Sequence, residues 1–562
     1  MGAAISVLPS GRRMISRLKI GQLILVFVLA AVPFAATFAL YYPDERHYTD
    51  GALMMLKHGD WLVPKTAAGK PRFQKPPLAY WSVAASYTTF GVGAFTSRLP
   101  FLLASCGTLW LTYRLARRLT GNAEAALLAA IVLLSHPQFF LCSIRSTPDA
   151  LLDFFITLSA YGFLRLIVFK EFAAGAFWLA YGGAAGAALS KGLLGAGIVL
   201  FAWTFAFWQG RNWRAVQKII HLPSLASAVI LIGGWFGYIF WRQGAAAINV
   251  FFNDQVTGNF HGHWWSPIGR APLFALVLIF NFLPWSATVV EWLLQKNTGA
   301  AGNVPPLAQK FILAWTALLI VGFALGEVVS LRYLLPATPL LAVLVADWLR
   351  SAESARLIFS LRRILKMVLV ALALAAAAAL FVGSQWPLPT VLFVLMCGLF
   401  LFGIAVLGLG ALWRKSFSAA EALGPAILLG WVIFFAAAMP ILLPDRAWQI
   451  AVTLRQTQTG SSQPVLLIGD VQLASRVRVL LGKNWTVTQV NKMNPAVAAD
   501  YTRILISEKE AGEFLKQGWT VQTAAINFGP PARGELWEAF KSRRLPEMLA
   551  RHAQKICLAA RE

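Results

Sequence analysis

Apolar runs long enough to cross a membrane dominate this chain and restrict the folds open to it. A helix needs about 20 apolar residues to span a bilayer, because lipid offers no partner to unsatisfied backbone groups. Thirteen runs approach that length, at 19–40, 98–115, 122–142, 149–168, 173–189, 192–208, 219–241, 271–291, 310–326, 333–349, 367–383, 388–412 and 422–443. The chain is 58% hydrophobic and 13% charged, whereas soluble domains are about a quarter charged. The sequence therefore predicts a mostly α-helical, polytopic bundle of membrane helices.

The positive charges lie in short segments between these runs. The net charge is +25, and lysine and arginine cluster in RRMISRLK, RLARRLTG, QGRNWRAVQK and WRKSF. A cytoplasmic N-terminus places nearly every cluster on the cytoplasmic side, as the positive-inside rule requires. Nucleic-acid binding needs a continuous basic face. The clusters form none, so we predict membrane lipids as partners and no nucleic acid.

The chain divides into two predicted parts. Residues 1–444 contain the spans, and residues 445–562 alternate strand and helix patterns such as PVLLIG, VQLASRVRVLLG and YTRILISE, which is typical of a small α/β domain. An odd number of spans places this domain opposite the N-terminus, in the periplasm if the membrane is a bacterial inner membrane. The first outward loop, 41–97, carries two amphipathic segments that we expect to form interfacial helices.

Ionisable side chains recur at the outward ends of the spans. They include Asp44, Glu45, Arg46, His47, Arg72, Lys75, Arg145, Asp149, Asp153, Lys191, His261, His263, Arg270 and Arg332, with Tyr333 beside the last. Charges at membrane depth are costly and mark sites. Arginine and lysine can hold a phosphate, and a carboxylate can accept a proton from a hydroxyl or bind a divalent cation. The pattern predicts a polar cavity at the outer face that suits group transfer from a polyprenyl phosphate.

A metal site is a separate expectation from the same list. His261 and His263 form an H-x-H pattern before two tryptophans. With a carboxylate, such a pair could hold zinc. The alternative is two solvated histidines in a tryptophan-rich loop. The sequence establishes no cofactor, and a divalent cation, zinc or magnesium, stays open.

One stretch carries a family resemblance. DERHYTDGALMMLKHGDWLVPKTAAGKPRFQKPPLAYW resembles the signature of bacterial membrane glycosyltransferases with the GT-C fold, in the ArnT/protein O-mannosyltransferase-like group that includes the lipid A aminoarabinose transferases. RSTPDALL, SKGLLGAGIVL and WWSPIGRAPLFALVLIFNFLPWS follow in order, so the resemblance covers about residues 38–345. It implies an inner-membrane enzyme with a periplasmic active site. The enzyme would transfer a sugar, such as 4-amino-4-deoxy-L-arabinose, with inversion from undecaprenyl phosphate to an acceptor such as lipid A.

The resemblance also implies roles for individual residues. Asp44 matches the family's base or metal-proximal carboxylate, with Glu45 beside it, and Asp149 matches its second acidic position. The resemblance places donor-phosphate contacts at Lys75, Arg332 and Tyr333. The residues themselves add Arg270 and Lys191 as candidate phosphate contacts, with an interfacial anchor as the alternative for Lys191.

The chain departs from the family pattern at two positions. The aminoarabinose transferases tend to read DExRY and EKP, whereas this chain has His47 and Gln74 at the corresponding positions. Both differences change the charge that a cationic amino sugar would meet. The reaction class does not depend on them.

Two other function classes are consistent with parts of the pattern. A transporter or flippase of a polyprenyl-phosphate-linked sugar would have a similar charged lining, but it would also need inward access. A scaffold or sensor would use the C-terminal domain to bind partners and would leave the outward charges without a role. The one-sided placement of these charges favours the transferase.

Overall fold

The structure is a computed structural model that describes most of the helical part and the C-terminal sheet. The described residues are 19–37, 41–255, 266–282, 285–286, 302–326, 330–351, 446–457, 464–493, 495–528, 538, 542, 544, 547–548 and 553–561. The predicted spans 367–383, 388–412 and 422–443 lie outside them. The fold is mostly helical with a small C-terminal sheet.

Nine of the predicted spans coincide with helices to within about five residues at each end, and a tenth, 271–291, overlaps the helix Ser266–Asn281 but extends beyond the described residues. In chain order the helices before the sheet are α1 Ile20–Ala35, α2 Glu45–His58, α3 Leu78–Phe90, α4 Ala94–Thr120, α5 Ala123–Leu134, α6 Pro137–Ser143, α7 Asp149–Ile167, α8 Ala174–Lys191, α9 Leu194–Gly210, α10 Trp213–Gln217, α11 Leu222–Gln243, α12 Ala245–Gln255, α13 Ser266–Asn281, α14 Pro306–Ala324 and α15 Thr338–Ser351. A 3-10 turn, Leu335–Ala337, precedes α15.

Three helices in the described part are long and apolar enough to cross a membrane, namely α7, α11 and α14. The pair α5 and α6 forms a fourth candidate that is bent by 72°. Pro137 begins α6, and proline ends the preceding helix because it lacks a backbone N–H. The two expected interfacial segments form α2 and α3.

Small residues let α7 and α8 approach closely. A Cβ atom at Gly162 or Gly183 would overlap the backbone of the facing helix. Close contacts of this kind replace the hydrophobic effect as the packing force between helices in lipid. The approach brings Asp149, the first residue of α7, beside Lys191, the last residue of α8.

The C-terminal unit, defined here as residues 446–561, is a five-stranded mixed sheet with helices. It contains α16 Arg446–Gln456, β1 Val465–Ile468, α17 Val471–Leu481, β2 Val487–Val490, α18 Pro495–Ala498, β3 Arg503–Ser507, α19 Glu508–Lys516, β4 Thr520–Phe528 and β5 Ala553–Ala560. The strand order is β2-β1-β3-β5-β4. The strands β2, β1 and β3 are parallel, whereas β5 runs antiparallel to both of its neighbours.

Candidate active site

The first site residue, Asp44, is the N-cap of α2. Its carboxylate does not cap the helix and is 46% exposed. It accepts a hydrogen bond from Nη2 of Arg332 at 3.0 Å. Arg332 lies just before the 3-10 turn, 288 positions further along the chain. A long-range ion pair, rather than a local cap, therefore orients this carboxylate.

Asp149 lies behind that pair and is almost fully buried, with a side-chain exposure of 3%. Arg332 donates from Nη1 to Asp149 Oδ2 at 3.3 Å, and Lys191 donates from Nζ to Asp149 Oδ1 at 2.5 Å. Burial alone would lower the pKa of Arg332, but Asp149 and Asp44 raise it overall. The four groups form one continuous network, Asp44–Arg332–Asp149–Lys191, which we call the charge chain.

Two tyrosines flank the charge chain. Arg332 and Arg145 lie 4.7 Å and 4.9 Å from the ring centre of Tyr42. Lys191 Nζ lies 5.3 Å from the ring centre of Tyr333, which stacks on Phe323. Cations over aromatic faces gain about 0.5–2 kcal/mol. The rings hold the cations in place without neutralising them.

Arginines around this site have unused donors. Within the described residues, the Nε atom is buried and has no hydrogen-bond partner in Arg46, Arg72, Arg145 and Arg332. Leaving a buried donor unpaired costs about 1–3 kcal/mol, more for a charged group. An anion that enters the site would remove this cost.

The expected phosphate contact Lys75 lies in the segment that precedes α3. The pKa of His47 is lowered to about 4, mainly by burial and then by the positive charges of Arg72 and Arg46. Asp44 opposes this shift, and Lys75 adds a smaller lowering effect. Lys75 therefore lies within electrostatic reach of the first turn of α2.

The pKa of His47 gives the first testable prediction. Between about pH 6.5 and pH 4 the unfolded chain binds a proton at His47 that the folded chain does not, so acid lowers stability. We expect the thermal midpoint to fall less between pH 7 and pH 4.5 in His47→Gln than in the wild type. His58→Gln, at the exposed end of the same helix, is the control and should behave as the wild type does. An equal fall in all three proteins would contradict the shift.

Glu45 differs sharply from its neighbour. Its side chain is fully buried, and both of its oxygens accept bonds from Arg98, at 2.9 Å from Nε and 3.0 Å from Nη2. The backbone N–H groups of Tyr42 and Ser146 donate to it as well, at 2.8 Å and 2.9 Å. Glu45 thus joins α2, α4 and the segment before α7, and its oxygens are occupied by these four donors.

Other predicted site residues lie apart from the charge chain or outside the described residues. Arg270 donates to the carbonyl of Gly326 at 2.6 Å, and no described hydrogen bond or ion pair joins it to the charge chain. His261 and His263 lie outside the described residues, so a cation there stays a prediction. In the part of the chain that the structure describes, no group of three or more histidine, cysteine, aspartate or glutamate side chains could hold a metal.

Sequence reasoning did not single out Tyr42 and Arg98. Tyr42 precedes the acidic pair and could have been suspected from its position. Arg98 begins a predicted span, where a cation requires a partner, and a pair of neighbouring acids is the natural place to look for one. Asp153, one turn after Asp149, is buried with both carboxylate oxygens unpaired among the described residues.

Comparisons with known proteins identify relatives of this chain. Residues 18–249 match the family described as dolichyl-phosphate-mannose-protein mannosyltransferase. An uncharacterized protein of Aquifex aeolicus is 30% identical over 369 residues, 64% of this chain and 69% of that protein. The undecaprenyl phosphate-alpha-4-amino-4-deoxy-L-arabinose arabinosyl transferase of Pseudomonas paraeruginosa is 28% identical over 449 residues, 76% of each chain.

A solved structure shares the fold. ArnT from Cupriavidus metallidurans, in a crystal structure bound to undecaprenyl phosphate, superimposes with a TM-score of 0.70 at 18% identity, covering 96% of this chain and 97% of that one. Its apo state gives a TM-score of 0.62. The transporter or flippase alternative is not favoured by these similarities. The chain belongs to the ArnT/protein O-mannosyltransferase-like family of membrane glycosyltransferases with the GT-C fold, which use lipid-linked sugars.

Proposed function

We propose that this enzyme transfers a sugar from an undecaprenyl-phosphate donor to an acceptor at the periplasmic face of a bacterial inner membrane, with inversion at the anomeric carbon. The observation that carries the proposal is the set of buried, unpaired arginine donors beside a half-exposed carboxylate. Those donors suit a phosphate, and Asp44 suits the group that attacks the sugar. The donor lipid is taken from the relatives, which are undecaprenyl phosphate-alpha-4-amino-4-deoxy-L-arabinose arabinosyl transferases.

The cations act on the leaving group in this mechanism. A sugar linked through phosphate to a lipid carries one negative charge on its phosphate, and the departing lipid phosphate carries a second. Preorganised cations stabilise a charge that develops in the transition state more than one already present. We assign this role to Lys75, Lys191 and Arg332. Tyr333 holds Lys191 in place through its ring.

Asp44 acts on the acceptor. If the acceptor is a hydroxyl, the Asp44 carboxylate accepts its proton as the new glycosidic bond forms. If the acceptor is a phosphate, which is already ionised, Asp44 orients it instead. Arg332 donates hydrogen bonds to both Asp44 and Asp149, so it fixes the Asp44 carboxylate relative to the cations that would bind the donor phosphate. Asp149 keeps the two cations in position.

Glu45 serves as a positioning residue in this proposal. Its oxygens already accept bonds from Arg98, Tyr42 and Ser146, so it fixes the start of α2 rather than meeting substrate. Arg270 supports the segment around Gly326. A phosphate contact by Arg270 would require it to exchange that carbonyl for the donor.

The proposal also covers the donor sugar, the acceptor and the membrane topology. The donor sugar of the relatives is 4-amino-4-deoxy-L-arabinose, and we extend to this chain the class of sugars carried on undecaprenyl phosphate. The acceptor class is a periplasmic-side lipid such as lipid A. We propose about 13 spans, a cytoplasmic N-terminus and a periplasmic domain from residue 445 onward.

Binding of undecaprenyl phosphate tests the phosphate site directly. Replacing Lys191 by methionine keeps the length of the side chain and removes its charge. A bond to a charged group contributes about 1.5–3 kcal/mol, so the affinity should fall about 10- to 150-fold. Titration of the purified protein by thermal shift measures this.

The matched control is Lys218→Met, since Lys218 is exposed beyond the short helix α10. Its affinity for undecaprenyl phosphate should equal that of the wild type. Equal affinities in the wild type and Lys191→Met would rule out this lysine as a phosphate contact.

A further inference from the structure

The C-terminal unit contacts α2, the helix whose N-cap is Asp44. Two side-chain pairs bury the contact: Arg478 with Asp50, and Ser475 with Thr49, whose hydroxyl oxygens lie 3.4 Å apart. Lys57 donates from Nζ to the carbonyl of Trp485 at 2.9 Å. The contact therefore extends from Thr49 and Asp50, near the middle of α2, to Lys57 in its last turn.

The Arg478–Asp50 pair is the strongest element of this contact. Arg478 donates from Nε to Asp50 Oδ1 at 3.0 Å and from Nη2 to Asp50 Oδ2 at 2.8 Å. The two side chains are only 5% and 7% exposed. Arg478 also donates from Nη1 to the carbonyl of Val487 at 3.1 Å. One guanidinium thus joins α17, β2 and α2 with a two-pronged geometry that fixes both distance and angle.

The contact reaches the catalytic end of α2 as well. Arg476, also on α17, lies 4.9 Å from the ring centre of Tyr41. The next residue, Tyr42, is the ring against which Arg332 and Arg145 lie. The C-terminal unit therefore contacts the segment directly before Asp44.

The opposite side of α2 packs closely against Tyr80 of α3. The ring centres of Tyr48 and Tyr80 are 5.0 Å apart. A Cβ atom at Gly51 would lie 2.6 Å from Cδ1 of Tyr80. The helix is therefore held between α3 on one side and α17 on the other.

We propose that the C-terminal unit is a positioning element of the active site, and that Asp50 and Arg478 are the pair through which it sets Asp44 against Arg332. The inference rests on the proposed role of Asp44. Misplacing a reacting group by about 1 Å can reduce a rate about 100-fold. The donor phosphate is held largely by groups outside α2, so its binding does not depend on this pair.

Kinetics of Asp50→Asn test the proposal, because asparagine keeps the size of the side chain and removes the charge that Arg478 meets. We expect kcat to fall about 10- to 100-fold with the KM for the lipid-linked donor unchanged. The double variant Asp50→Leu with Arg478→Met fills the contact with apolar side chains and leaves no buried charge unpaired. It should recover most of the lost kcat.

Amide hydrogen exchange gives a readout that does not depend on activity. In Asp50→Asn, exchange should quicken in α2, residues 45–58, and stay unchanged in α7, residues 149–167. Glu508→Gln is the control, because it breaks the exposed pair between Glu508, the first residue of α19, and Lys555 on β5 in the same unit, a pair that makes no described contact with α2. It should alter neither kcat nor exchange in α2.

Two results would overturn the proposal. One is an unchanged kcat in Asp50→Asn. The other is faster exchange in α2 and α7 alike, which would make the pair a general stability element. If the wild type transferred no sugar, the proposed function would fail, and the exchange data would still decide whether the C-terminal unit holds α2.

Discussion

With a hydroxyl acceptor, Asp44→Asn should reduce sugar transfer about 100- to 10,000-fold, the range for loss of a positioned general base. Asparagine keeps the shape of the side chain and can still accept a hydrogen bond from Arg332, so the geometry of the charge chain should persist. What it loses is the negative charge that accepts a proton. Because the Asp44 side chain is 46% exposed, the thermal midpoint should stay close to that of the wild type.

The measurement is the rate of label transfer at saturating donor, with the folded state checked by thermal unfolding. Asp60→Asn is the matched control, because Asp60 follows α2 in the same loop and pairs with Lys65 at 2.9 Å on a partly exposed surface. It should transfer at close to the wild-type rate. A loss smaller than about tenfold in Asp44→Asn with a hydroxyl acceptor would contradict the role of Asp44 as base.

Glu45→Gln should have the second large effect, this time on folding. It leaves the fully buried guanidinium of Arg98 without its counter-charge. Breaking a buried pair by removing one partner costs about 3–5 kcal/mol. The Tyr42 and Ser146 backbone groups would also lose a charged acceptor. We expect a marked fall in the thermal midpoint and in the yield of folded protein, and with it a loss of transfer.

Glu171→Gln separates this effect from the loss of any ion pair. Glu171 accepts from Arg165 Nε at 2.8 Å, but its side chain is 28% exposed. Exposed pairs contribute about 0–1 kcal/mol, so the midpoint should change little. If Glu45→Gln proved as stable as Glu171→Gln but inactive, Glu45 would act on the substrate instead of on the fold.

The comparison of Asp44 with Glu45 shows where sequence reasoning stops. Hydropathy predicts the helices and places the acidic pair just after the first predicted span, because both depend on local pattern. The ion pairs of the two acids are formed with distant residues: Asp44 pairs with Arg332, 288 positions away, and Glu45 with Arg98, 53 positions away. Adjacent residues of one charge type therefore have different surroundings, and nothing local in the sequence distinguishes them.

The sheet illustrates the same limit. The sequence pattern predicts the strands at β1, β2, β3 and β4 and the helices α17 and α19, since each has a local period or boundary signal, but not the short helix α18. It does not predict β5, Ala553–Ala560, which lies between β3 and β4 and runs antiparallel to both. Strand order is set by contacts between distant segments, and strand and helix periodicity carries no information on it.

Transfer by the wild-type enzyme tests the central claim most directly. Purified protein in vesicles would receive an undecaprenyl-phosphate donor labelled in its sugar, together with lipid A as acceptor. We predict that the label leaves the carrier and appears on the acceptor with inverted anomeric configuration. Label that crosses the bilayer while still attached to undecaprenyl phosphate, with none on an acceptor, would contradict the assignment and show a flippase.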